Sequence, residues 1–270
     1  MIGNAEATSA SEPVGMLTSE QLVRVFRLLK GADSVELKVS VAEADRRSAV
    51  SALEMDILDA EIRQVVFFDT PDLLLDRHGV VVRARRIQRK PGDSVVKLRP
   101  LDPEQTPTAV RKSPAFGIEI DAMPGGFVCS GRMKVEVDDA AVKDVMAGHR
   151  APRKLFTKEQ RELFSAHAPD GVELDDLSVL GPINVMKLKF TPGEFGRRLV
   201  AELWLYPDGG RILELSTKCQ PADAFDVAAE TRDFLTKHGI DLLSEQQTKT
   251  RRALDFYARE LANGGTNDVR

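Results

Sequence analysis

Alternation is the feature that most restricts this chain. In VVVRARR, Val80 to Arg86, Val82 and Ala84 must point one way if the segment is extended, and Arg83 and Arg85 the other. The same period of two runs through SVELKVSV, Ser34 to Val41, where Ser34, Glu36 and Lys38 share a face opposite Val35, Leu37 and Val39. Lys97 with Arg99 and Lys187 with Lys189 repeat the pairing of like charges, joined by Lys38 and Lys218. Further extended segments are expected over Glu61–Phe68, Val80–Arg89, Ser94–Leu101, Gly117–Met123, Arg132–Asp138, Val179–Phe190, Leu199–Tyr206 and Arg211–Lys218, with PDGG turning the last pair. Helical periodicity marks Thr18–Leu29, Glu43–Leu53, Lys158–Ala168, Ala222–His238 and Ser244–Leu261. Eight or nine short-spaced strands with few helices suggest an antiparallel sheet closed or nearly closed into a barrel, with helices outside.

The cationic faces have two readings. One side of an antiparallel sheet commonly meets water, and these residues would then be ordinary surface charge. Sign argues for the other. Like charges across strands repel, and a solvated face of a chain whose net charge is −4 should mix its signs. If the apolar faces pack under helices, the cations line the barrel interior, where a compact polyanion would neutralise them. Carboxylates recur on the same segments: Glu36, Glu119 with Asp121, Glu136 with Asp138, Glu202 and Glu214. Such hard oxygen donors suit Mg²⁺ or Mn²⁺, although each is equally suited to an ion pair with a neighbouring cation.

Several classes are excluded or disfavoured. Two cysteines, Cys129 and Cys219, form neither a disulfide framework nor a zinc motif, and His78, His149, His167 and His238 are scattered. No window approaches the ~18 apolar residues of a membrane span, so a soluble, cytoplasmic protein with no membrane partner is expected. The acidic balance and sparse aromatic residues argue against a nucleic-acid track. Residues 1–17 and 262–270 are expected to be disordered tails around a single domain over 18–261.

Taken in order, VELKV, FFDTPDLLLDRHGVVVRARR, VVKLRP and the C-terminal QTKTRRALDF resemble the CYTH superfamily, the triphosphate tunnel metalloenzymes, across roughly Ser34 to Tyr257. The resemblance implies an α+β fold: an eight-stranded antiparallel β-barrel, or tunnel, with helices packed outside. It implies phosphate binding by basic side chains and one or two divalent ions, Mg²⁺ or Mn²⁺, held by acidic ones. Glu36 and Lys38 match the end of the family's ExExK signature and are the candidate catalytic residues, while Ser34 stands where its first Glu belongs. Arg83, Arg85, Lys97 and Arg99 match its basic strands. With Arg161, Lys187, Lys189, Lys218 and Lys249 they make up the candidate phosphate ligands. Candidate metal ligands are Glu36, Glu119, Glu136, Glu202 and Glu214, with Trp204 where a second carboxylate is often found. The implied activity is hydrolysis of inorganic tripolyphosphate or an organic triphosphate. An adenylyl cyclase using the same tunnel is one alternative the resemblance implies; fewer carboxylates weaken metal binding, which leaves a non-catalytic polyphosphate- or nucleotide-binding module as another. A homodimer is left open.

Overall fold

A computed structural model describes residues 18–242 and 248–264 of the chain. The expected tails fall largely outside them, and so does the start proposed at Ser244 for the last helix. In chain order the elements are α1 (Ser19–Gly31), β1 (Ser34–Val41), α2 (Arg46–Ala52), β2 (Glu61–Asp69), α3 (Leu74–Arg77), β3 (Val80–Ile87) and β4 (Lys90–Leu98). There follow α4 (Thr108–Arg111), β5 (Phe116–Met123), β6 (Gly126–Val137), α5 (Asp139–Met146), α6 (Lys158–Ser165), β7 (Ser178–Phe190), β8 (Leu199–Leu205), β9 (Arg211–Cys219), α7 (Ala224–Lys237) and α8 (Lys249–Ala262).

The strands close into a barrel in the order β1-β5-β6-β4-β3-β2-β7-β8-β9. It has nine strands, not eight, and it is mixed. β1 pairs in parallel with β5, Glu36 opposite Asp121, and antiparallel with β9, Glu36 opposite Lys218. The expectation of an all-antiparallel eight-stranded tunnel is corrected on both counts. The α+β class and the outer helices hold.

Alternation decides which residues face out. Val66, Val82, Ala84, Val96 and Leu98 pack with α5 and α6, through Val142, Val145, Leu163 and Phe164. Val39, Val41, Leu213 and Leu215 pack with α2 and α7. Val35, Ile118 and Ile120 meet Leu28 of α1. Each of these apolar strand faces is buried under helices, so the charged residues between them must project inward. One end of the interior is filled by a further apolar cluster, including Val65, Phe67, Val185, Trp204 and Ile212, over which Ala253 and Leu254 of α8 close.

Candidate active site

The Asp-Thr-Pro turn sets the start of β3. Asp69 accepts the backbone N–H groups of Thr70 (2.7 Å), Leu75 (2.9 Å) and Asp76 (3.0 Å), and Thr70 Oγ1 accepts that of Leu74 (2.8 Å). The carboxylate thereby satisfies N–H groups that so short a helix leaves unpaired. Gly79 then turns the chain into β3 with φ +73°, where a Cβ would lie 2.4 Å from the Arg99 carbonyl oxygen. From there Arg83 and Arg85 enter the barrel.

A cavity of about 550 Å³ occupies the interior. Thirteen of its described lining residues are Lys or Arg and six are Asp or Glu, an excess of seven cations inside a chain whose net charge is −4. The acids are shared unevenly. Asp121, almost fully buried, meets Lys38 at 2.7 Å, Lys97 at 3.1 Å and Arg99 at 3.9 Å. Glu119 pairs with Lys218 and lies 3.9 Å from Arg132. Glu36 contacts Lys38 at 3.1 Å and accepts a hydrogen bond from Ser216 at 3.1 Å. Burial disfavours the Asp121 carboxylate, but Lys38, Lys97 and Arg99 outweigh it and hold its pKa well below the usual range. For Lys38 burial opposes charge, and Glu36, Asp121 and Glu214 more than restore it, so its pKa is raised.

Arg83 is the contrasting case. Among the described residues it has no acidic partner within ion-pair distance, and its Nε is buried without a hydrogen bond. Burial, reinforced by neighbouring Arg85 and Arg132, pulls its pKa down to about 10. Arg85 is instead clamped by Asp93, directly opposite it on β4: Nε to Oδ1 and a terminal nitrogen to Oδ2, both 2.7 Å. The only other lining cations without an acidic partner among the described residues are Lys189 and Arg198, both exposed. Unpaired positive charge thus lies both deep in the cavity and at its solvent-exposed edge.

No family model and no curated protein sequence matches the chain, but solved structures do. A candidate adenylate cyclase from Bacillus halodurans superposes with a TM-score of 0.57 at 13% identity, over 82% of this chain and 97% of that one. A candidate adenylyl cyclase from Hippeastrum, described as having a dominant triphosphatase activity, superposes with a TM-score of 0.59 at 17% identity, over 86% and 97%. The chain shares the barrel fold of these structures. At such identities the likeness carries the architecture, and chemistry has to be argued from the side chains.

The barrel interior gathers most of the candidate residues. Glu36, Lys38, Arg83, Arg85, Lys97, Arg99, Glu119, Lys187, Lys189, Glu202, Glu214, Lys218 and Lys249 all line it. Two picks lie elsewhere. Arg161 sits on α6 and donates to the Phe156 carbonyl at 2.8 Å, and Glu136 is exposed near the end of β6, beside Lys90 and Asp139. Glu136 lies on an inward-facing register but too near the end of β6, and Arg161 is excluded because all of α6 packs on the outer face of the barrel. Conversely, Arg63, Asp121, Arg132 and Arg198 line it without having been ranked as site residues. A signal existed for Asp121, which stands two positions after Glu119 and therefore faces the same way. For Arg198, outside any strand, there was none.

Proposed function

We propose that this protein binds a triphosphate in its tunnel and hydrolyses it with the help of a divalent metal ion. The observation that carries this reading is the excess of seven cations among the described residues lining one barrel cavity of an acidic chain. A compact anion with several charges is the ligand that relieves such repulsion, because each phosphate oxygen accepts hydrogen bonds from more than one cation. Arg83 supports it most directly: a buried guanidinium lacking an anion gains one when a phosphate enters.

The metal requires a separate test of fit. Glu36, Glu119 and Asp121 each place a carboxylate oxygen within 4.8 Å of the others. An all-oxygen set with several negative charges suits Mg²⁺ or Mn²⁺. Those three residues would hold the ion, which when bound supplies an activated water and offsets charge on the phosphate oxygens. The other residues act through position. Lys38, kept charged beside the ligand carboxylates, and Lys97 and Arg99 next to it neutralise the end of the phosphate chain nearest them. Arg83 and Arg132 hold its middle, while Lys189 and Arg198 draw the anion in. α8 excludes water from the opposite end.

An adenylyl cyclase would use the same cavity. Among the described lining residues, however, the sole aromatic is Trp204, at the closed end and already occupied by Lys249 5.0 Å from its ring centre. No second aromatic ring among the described lining residues could sandwich a base, which favours hydrolysis. Purified protein is to be assayed with Mg²⁺ and with Mn²⁺ on tripolyphosphate and on ATP, reading phosphate release and cyclic AMP. Phosphate release supports the proposal, and cyclic AMP transfers it to the cyclase. Thermal stabilisation by tripolyphosphate without turnover reduces the protein to a binding module.

A further inference from the structure

Glu202 and Glu214 face each other across β8 and β9, and sequence alone makes them a natural pair of metal ligands. The structure fills that place with a side chain. Lys249, the first residue of α8, donates from Nζ to Glu202 Oε2 at 2.6 Å and to Glu214 Oε1 at 2.7 Å, and its side chain is only 13% exposed. The other Glu202 oxygen accepts from Lys187 at 2.8 Å, and Trp204 Nε1 donates to Oε2 at 3.2 Å. The lysine is anchored from both sides of the helix start. Tyr206 donates its hydroxyl to the Lys249 carbonyl at 3.0 Å, and Arg251 pairs with Asp76 of α3 at 2.6 Å.

We propose that Lys249 is a tethered cation that takes the place of a metal between Glu202 and Glu214, so that the tunnel accepts a single divalent ion, at Glu36, Glu119 and Asp121. The inference rests on the metal reading above. Three features favour it over a plain buried salt bridge. Lys249 engages both carboxylates at once, as a bridging ion would. Its place at the helix start is held by the Tyr206 hydrogen bond to its carbonyl and by the Arg251–Asp76 ion pair, not by the carboxylates alone. Trp204, two positions after Glu202 on the same strand face, presents its ring to the ammonium group, 5.0 Å from the ring centre. A divalent ion at this spot would have to displace Lys249, whose ammonium group already lies between the two carboxylates and is carried by the start of α8.

The test counts Mn²⁺ per chain by electron paramagnetic resonance and calorimetry, in the wild type, in Lys249→Met and in Asp121→Asn. The wild type is expected to bind one ion, lost in Asp121→Asn. Lys249→Met is expected to bind a second, and adding Glu202→Gln to Lys249→Met should remove it again. Two ions in the wild type, or no gain in Lys249→Met, would overturn the proposal. A wild type that binds none while Lys249→Met gains one would sink the Glu36, Glu119 and Asp121 site yet uphold the role of Lys249. Should Lys249→Met fail to fold without metal, Lys249→Gln, which retains a hydrogen-bonding group, is counted in the same way and judged by the same outcomes.

Discussion

Arg83 and Arg85 look alike in the sequence and part company in the structure. The clamp by Asp93 commits Arg85 to the protein, whereas Arg83 remains a buried charge in search of an anion. Arg83→Met is therefore expected to move two measurements in opposite directions. Apparent thermal stability without ligand should rise, because an uncompensated charge leaves the interior. Affinity for tripolyphosphate should fall by roughly 10- to 100-fold, the equivalent of a charge-assisted hydrogen bond at ~1.5–3 kcal/mol. Calorimetric titration with a melting curve reads both, and an unchanged affinity would remove Arg83 from the phosphate site. Arg85→Ala should behave differently, leaving Asp93 buried with only Lys134 at 3.4 Å. Loss of one partner of a buried pair costs about 3–5 kcal/mol, so a denaturant midpoint close to wild type would contradict the clamp. That these two residues share an inward face was legible from their spacing. Which of them is free was not, since it depends on the hairpin register that sets Asp93 opposite Arg85.

At the level of elements, the β3–β4 hairpin and the turn before it hold that register. Gly79→Ala forces a side chain into positive φ and against the Arg99 carbonyl, and should cost about 1–3 kcal/mol, read as a lowered melting temperature. Asp93 gives the hairpin a pH dependence. Burial alone would raise its pKa, but Arg85 above all, with Lys134 and Arg83, lowers it below the ordinary value. Because the folded-state pKa is depressed, the stabilisation is present above about pH 4 and lost as pH falls through the folded value. Melting temperatures between pH 2 and 6 should fall less steeply for Asp93→Asn than for the wild type, and parallel curves would count against the pair. Strands with clean alternation, such as Ser34–Val41, were legible to the residue. β6 was not: it begins at Gly126, and the stretch FVCSG ahead of Arg132 has no regular alternation to reveal it. The one-turn helices α3 and α4 are too short for a helical period to show, whereas α5, equal in length to α6, was missed without that excuse.

For the molecule as a whole, the sequence conveyed that cations line an interior but not how the interior closes. The parallel pairing of β1 with β5 joins segments more than eighty residues apart, and no local pattern encodes which distant strand becomes the neighbour. That closure matters to function because it brings Glu36 and Asp121 opposite each other, completing the acidic trio around which Lys38, Lys97, Arg99 and Lys218 collect. The resulting charge imbalance yields a prediction for the intact protein. A ligand at 100 times its dissociation constant stabilises the folded state by about 2.7 kcal/mol, and each kcal/mol raises the melting temperature of a domain of this size by about 2–4 °C. Saturating tripolyphosphate should thus raise it by roughly 5–10 °C, more than equal concentrations of monophosphate. Salt should act unequally along the path. Lys189 and Arg198 are exposed and screened, so Lys189→Ala should lower affinity at low ionic strength and have little effect at high salt. Arg83→Met should weaken binding at both, because bulk ions do not screen a buried group to the same extent. If both substitutions lose their effect together as salt rises, the anion is held at the protein surface and the cationic interior serves some other end.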